Sequence, residues 1–298
     1  MTKVFNAVQI GGLALEALGA GAPGKAVGVT SKGIFLNSAD KILFLTGAGY
    51  KSPFNLQVRQ MNDLSNTVVA GDEFTVSDNA ILFPLHEIVI DVHRAKLWQP
   101  SQPPKNTNSD RTQAERIELI LGRMCENDSK KGWLFLGNCG DTDLEPLGSA
   151  KDRIKNITTA FMSSFKISDL TYCLDTARSI IGLGGGLTPS GDDWLAGFML
   201  FHARIDQSMG KNNPFFASLG ESLTEMSFQK TTKISANRIE AACRGWAEEI
   251  FLDAVDYIVA IEKELSETKI KYIMGFGHSS GVDTCMGIFA AWATLKTD

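Results

Sequence analysis

The chain has 298 residues, 44% of them hydrophobic and 21% charged, with a net charge of −5 and a pI near 5.5. That length suits one large domain or two ordinary ones and is ample for a buried core. The acidic balance excludes a broad nucleic-acid footprint, which needs a basic face, yet leaves room for a local basic pocket that takes a small anion.

Residues 9–23 (QIGGLALEALGAGAP) are small and apolar. They lack a basic stretch beyond Lys3, and Glu16 interrupts them, so they read as a core segment and not as a signal peptide. No run of about 18 apolar residues occurs, so no transmembrane helix is expected. From Lys25 to Trp98 the signals are those of strands. Lys25–Thr30, Ile34–Leu36, Ile42–Leu45, Phe54–Arg59, Glu73–Ser77, Ala80–Phe83 and Glu87–Val92 are short β-prone runs broken by Gly, Asn and Asp. Such a series implies an antiparallel sheet or a small barrel. Residues 99–110 (QPSQPPKNTNSD) then change character and read as a linker.

Helical periodicity dominates beyond it. Arg111–Cys125 opens behind Asn108, Ser109 and Asp110, Ser149 can cap a helix to about Phe165, and Ser168 can cap the next. Further helices are expected at 189–208, 214–228, 236–264 and 281–296, with Gly245 able to bend the long one. The expected fold is therefore α+β: a β-rich lobe over 1–105 and a mainly α-helical lobe over 106–298.

The five cysteines (Cys125, Cys139, Cys173, Cys243 and Cys285) are odd in number, widely spaced and without a Cys-x-x-Cys pair. Neither a disulfide framework nor a thiolate zinc site is expected, and a reducing, cytoplasmic setting fits.

The most informative stretch is 182–200 (GLGGGLTPSGDDWLAGFML). Gly182, Gly184, Gly185 and Gly186 tolerate positive φ and let a ligand approach the backbone. Thr188 can cap the following helix, with Pro189 at its first position. Ser190 and Gly191 complete an open first turn that offers N–H groups and the positive end of the helix dipole to an anion. Asp192 and Asp193 either complement that dipole or act on a ligand, by orienting an amine or holding magnesium. Their side chains diverge by about 100°, so at most one is expected to face the ligand directly. The loop is neither a Walker A motif nor a dinucleotide fingerprint, and a tight glycine connection is its plain structural explanation.

Two other stretches share this grammar. Gly275–Gly287 (GFGHSSGVDTCMG) offers His278 as an acid, base or anion ligand, with Ser279, Ser280 and Asp283 as pocket polar groups. Its bland reading is a capping box of Ser280 and Asp283. Thr231–Arg238 (TTKISANR) offers Thr231, Thr232, Lys233, Ser235, Asn237 and Arg238, the last able to grip carboxylate or phosphate with two N–H groups; its bland reading is again capping, with Lys233 and Arg238 solvated. His86, His93 and His202 read as packing or surface residues.

In this order, GLGGGLTPSGDD, TTKISANR and GHSSGVD resemble a family of bacterial proteins that includes the H subunit of oxamate carbamoyltransferase. The resemblance spans roughly residues 150–298; the β-rich half matches in character only. It implies a part in carbamoyl transfer between carbamoyl phosphate and oxamate, in purine and allantoin breakdown, within an assembly of several subunits. It supplies no residue roles. On the physical reading, Asp192, Asp193 and His278 are the catalytic candidates. Gly184, Gly185, Gly186, Thr188, Ser190, Gly191, Thr232, Ser235, Asn237, Arg238, Ser279, Ser280 and Asp283 are the substrate-binding ones. The alternatives are a magnesium-dependent hydrolase or phosphotransferase, with Asp192, Asp193 and Asp283 on the metal, and a non-catalytic metabolite-binding subunit. No NAD, flavin or pyridoxal phosphate signature appears, and magnesium is the one cofactor candidate. The expected partners are a small anionic substrate and other subunits, with no nucleic acid and no membrane.

Overall fold

The computed structural model describes residues 2–19, 21–47, 49–77, 79–128, 131–137 and 149–296. The chain forms two compact units, Met1–Ser101 and Gln102–Asp298. Together they make an α+β protein whose N-terminal part is β-rich and whose remainder is helical.

Among the described residues, nine strands build the first unit: β1 (Lys3–Gly11), β2 (Gly24–Thr30), β3 (Gly33–Ser38), β4 (Lys41–Thr46), β5 (Asn55–Val58), β6 (Glu73–Ser77), β7 (Ala80–Phe83), β8 (Ile88–Asp91) and β9 (Lys96–Trp98). The order is β5-β4-β3-β2-β6-β7-β8-β1-β9, and β5 also pairs with β1. That last pairing closes β1 to β8 into a barrel, which removes the exposed edges an open sheet would carry. β1 is the seam. Lys3–Asn6 run parallel to Ile88–Asp91, while Ala7, Gln9 and Ile10 pair antiparallel with Val58, Gln57 and Leu56. Inside lie Ile34, Leu36, Leu43, Leu45, Leu56, Ile81 and Ile90, each fully buried or nearly so.

The expected series of strands from Lys25 onward is present, but β1 precedes it. Its alternation covers only Phe5 and Ala7 before Gly11 and Gly12 hand over to helix α1 (Gly12–Gly19), so its signal is short. Chain reversal there is tight, and Ala14 N donates to Pro53 O at 2.9 Å.

The second unit contains α3 (Asp110–Asp128), α4 (Ala150–Lys166), α5 (Leu170–Ile180), α6 (Ser190–Ser208), α7 (Pro214–Lys230), α8 (Lys233–Cys243), α9 (Glu249–Val259), α10 (Glu267–Met274) and α11 (Ser280–Thr294); the short α2 (Met61–Ser65) belongs to the barrel. Helix α6 is buried on every side from Gly191 to Ile205, as a central helix must be. It lies against α11 at very short range. A side chain at Gly197 would overlap the Thr284 carbonyl, and one at Gly287 the Trp194 carbonyl. Glycine at both positions lets the two backbones touch, and this aligns the N-termini of α6 and α11. The buried pair Arg204–Asp256, 2.6 Å apart, ties α6 to α9.

Several local expectations are corrected. The single helix over 236–264 is two, α8 and α9, because Gly245 takes φ +72° and ends the first. Helix α10 was not foreseen; its eight residues are too few to show a period. Asp169, not Ser168, caps α5, its carboxylate accepting from Tyr172 N at 3.0 Å while Ser168 takes a left-handed φ of +55°. Ser149 caps α4 as expected, accepting from Asp152 N at 3.1 Å. Cys125 is disulfide-bonded, against the expectation of reduced thiols, because spacing in sequence does not report which sulfurs the fold brings together. Cys173, Cys243 and Cys285 are free. Among the described residues, no helix is long and apolar enough to cross a membrane.

Candidate functional site

The N-termini of α6, α8 and α11 meet, and their polar side chains interlock. Asp192 and Asp193 sit in the first turn of α6, both 1% exposed. Asp192 accepts from Gly182 N at 2.7 Å and from the Thr231 hydroxyl. Asp193 pairs with the Arg238 guanidinium of α8. Arg238 also faces Glu248 at 3.5 Å and Thr284 Oγ1 at 3.4 Å, and it lies 5.9 and 5.8 Å from the ring centres of Phe251 and Phe276. The Thr188 and Ser280 hydroxyls are 2.8 Å apart, and Thr232 donates to Leu187 O at 2.6 Å. All three sequence stretches therefore reach one place.

Asp283 on α11 is fully buried and accepts from Trp133 N at 2.6 Å. Gly132 makes this approach possible, since a side chain there would overlap the Asp283 carboxylate. Among the described residues, Oδ2 of Asp193 and of Asp283 is buried without a partner at good hydrogen-bond geometry, although the Ser280 hydroxyl stands near Asp193 and those of Ser190 and Ser279 near Asp283. Buried acceptors are seldom left so, and each is a place where a donor would be gained.

Burial dominates the electrostatics. It pushes Asp193 up to about 7, against the pull of Arg238 and Ser280, with Asp283 and Asp192 adding to the rise. Burial also raises Asp192, opposed by Thr231 and Gly182, and raises Asp283, opposed by Trp133, Ser190 and Ser279. An acid that holds its proton more tightly folded than unfolded stabilises the fold only while protonated. The contribution of Asp193 is therefore present in acid and is lost as pH rises from about 4, the unfolded value, to about 7. Denaturant midpoints measured from pH 4 to 8 are expected to show this: Asp193→Asn removes a downward slope between pH 4 and 7 that the unmodified chain retains. Equal slopes in both proteins would contradict the burial argument.

The glycine loop differs from the expected open helix turn. Helix α6 begins at Ser190, with Pro189 at the cap and no side-chain cap; Thr188 bonds Ser280 instead. The first-turn donors are taken: Gly191 N by Leu183 O, and Asp192 N and Asp193 N by Pro189 O. Gly191 is small because Ile180 O fills its Cβ position, so its role is packing. The unused donors lie one step earlier. Among the described residues, nothing accepts from the backbone N–H groups of Gly184, Gly185, Gly186 or Leu187. These four residues are exposed, Gly184 and Gly186 take φ +123° and +89°, and the space beyond Gly185 and Gly186 is open. Successive N–H groups in such a bend form a concavity suited to an anion.

The Ser-x-x-Asp capping box is absent. Ser279 occupies the cap of α11 with no side-chain cap bond, and one oxygen of Asp283 accepts from Trp133 N. Thr232 does cap α8, accepting from Ser235 N at 3.2 Å. Thr232→Ala should cost about 1 kcal/mol from the cap alone, read by thermal unfolding. Ser235 and Asn237 are buried on α8, Ser190 is half-buried, and His278 stands exposed in the turn before α11, apart from the carboxylate cluster. Among the described residues, no three His, Cys, Asp or Glu side chains are grouped as metal ligands. The three aspartates face Thr231, Arg238 and Trp133 instead.

Residues 180–292 match the model of the family described as oxamate carbamoyltransferase subunit AllH. Over those residues the chain is similar to this family. The span matched to AllH runs from the end of α5 almost to the end of α11 and contains every candidate residue named above. The barrel lies outside it. No solved structure matches the chain.

Sequence reasoning missed Thr284, Glu248 and the Gly132–Trp133 contact, while Thr231, one of the hydroxyl donors it named, bonds Asp192. Thr284 stood inside a noted stretch. Glu248 and Trp133 are remote from the motifs in sequence, and only the packing of α9 and of segment 131–137 brings them in.

Proposed function

We propose that this chain is a subunit of a carbamoyl-transferring enzyme, and that the loop Gly184–Leu187 binds the small anionic substrate beside Asp193. The run of unused, exposed N–H groups carries this reading. The match to AllH, described as a subunit of oxamate carbamoyltransferase, supplies the chemistry.

In the transfer, the oxamate nitrogen attacks the carbamoyl carbon of carbamoyl phosphate. The bond from that carbon to the phosphate oxygen breaks, and phosphate leaves with its electron pair. The nitrogen gives up one proton, and oxalurate results. The loop N–H groups stabilise charge growing on the carbamoyl oxygen or on the leaving phosphate. Asp193 has one oxygen held by Arg238 and one without a partner at good geometry, and the second oxygen orients the oxamate N–H. Asp192 is committed to Gly182 and Thr231 and shapes the loop. His278, exposed in the turn before α11, is the base that finally receives the proton, through solvent. Arg238, paired with Asp193 and Glu248, sets the carboxylate and does not clamp the anion.

The test is oxalurate formation from carbamoyl phosphate and oxamate by the chain combined with the products of its neighbouring genes. Activity that needs this chain and falls about 100-fold or more with Asp193→Asn is expected. Unchanged turnover in that variant would remove Asp193 from the chemistry. Unchanged turnover without the chain would remove the chain. Loss of activity in chelator would revive the magnesium alternative.

A further inference from the structure

A second cleft lies at the opposite end of α6. Its volume is about 430 Å³, and it is enclosed by the ends of α4, α6 and α11 and the starts of α3 and α7. We propose that it binds a small planar aromatic anion that carries an O–H or N–H donor. This inference is independent of the carbamoyl-transfer reading.

His202 is the reason. It lines the cleft yet is only 6% exposed. Its ring lies 4.3 Å from Phe165, 4.9 Å from Phe198 and 6.4 Å from Phe216, centre to centre. Burial among these rings holds the imidazole down to about 3, so it is neutral at physiological pH. Its tautomer follows from the next bond along. Nε2 is 3.0 Å from Thr294 Oγ1, and that hydroxyl gives its own proton to Ala291 O at 2.7 Å. Nε2 therefore carries the hydrogen and donates, and Nδ1 is left a bare acceptor. Among the described residues, nothing donates to Nδ1. A neutral acceptor at the wall of a cleft can take a donor from a ligand.

The remaining walls set the class of that ligand. Phe215 and Trp292 offer flat apolar surface for a ring. Lys166, Lys211 and Lys296 stand against Asp110 and Asp206, an excess of one positive charge. Burial raises the Asp206 carboxyl, and the nearby charge of Lys211 partly offsets this. Lys296 covers one face of Trp292 at 3.7 Å and also lines the cleft, so its ammonium can meet the carboxylate of a ligand lying against Phe215.

The test uses the full chain, with 4-hydroxybenzoate, benzoate and phenol as probes and the histidine ring nitrogens followed by ¹⁵N NMR. The free protein should show His202 as the Nε2–H tautomer. 4-Hydroxybenzoate should bind saturably and shift the His202 signals, with benzoate about tenfold weaker because it lacks the donor. His202→Phe should erase that preference, and Lys296→Gln should weaken 4-hydroxybenzoate more than phenol. An Nδ1–H tautomer in the free protein, equal binding of benzoate and 4-hydroxybenzoate, or no binding of any probe at millimolar concentration would each overturn the proposal. The tautomer measurement needs no variant, so it stands even if His202→Phe fails to fold.

Discussion

Arg238→Met should lower stability by about 3–5 kcal/mol, a far larger loss than a surface ion pair would give. The argument runs through Asp193. Its carboxyl is 1% exposed and rests on Arg238, and its second oxygen already lacks a partner at good geometry. Without the guanidinium, a buried charge is left uncompensated, or the carboxyl must hold its proton to a still higher pH. The double variant Arg238→Met with Asp193→Asn removes both charges and should recover at least half of the loss. Chemical denaturation of the two single variants and the double variant measures this. If Arg238→Met costs less than about 1 kcal/mol, the pair is not the anchor of the site.

Gly287→Ala should be nearly as damaging, although it adds one methyl group. That methyl would overlap the Trp194 carbonyl, a backbone atom that cannot rotate away. Overpacking usually costs about 1–3 kcal/mol, and a clash with backbone belongs at the upper end of that range. The consequence reaches the site, because the α6–α11 contact places Asp193 opposite Asp283 and Thr188 opposite Ser280. Prying the helices apart should therefore weaken anion binding as well as stability. An exposed-loop control, Gly186→Asn, meets no neighbouring atom, and asparagine tolerates the φ of +89° better than most residues. It should leave the fold intact and act on binding alone.

The division of the chain was legible because its two halves obey different periods. Short alternating runs with turn residues gave β2 to β8, and helical spacing gave α3 to α7 and α11. A barrel was one of the two readings the strand series allowed, and what closes it was not legible. Closure depends on β1, whose sequence shows too little alternation, and on a seam joining β1 to β5 that no local pattern encodes. The break at Gly245 was visible as a glycine but not as an end, since glycine in a helical run serves packing as often as termination.

The site was legible as composition. Glycine-rich and hydroxyl-rich stretches before apolar runs mark helix starts, and three such starts proved to meet. What each group does there was less legible. Thr188 looked like a cap and bonds Ser280; Asp283 looked like part of a capping box and holds Trp133 N; Arg238 looked like an anion clamp and is paired with Asp193. Side chains of these types serve caps and tertiary bonds equally well, and only the crossing of α6 and α11 decides between them.

The central claim is that the backbone of Gly184–Leu187 receives the substrate anion. It is tested most directly by titrating carbamoyl phosphate, oxamate and inorganic phosphate into the chain labelled with ¹⁵N-glycine, and following the amide signals of Gly184, Gly185 and Gly186. The account predicts saturable shifts at these glycines with carbamoyl phosphate or oxamate, suppressed at Gly184 and Gly185 in the Gly186→Asn variant. Shifts confined to other glycines, or none at millimolar ligand, would contradict it.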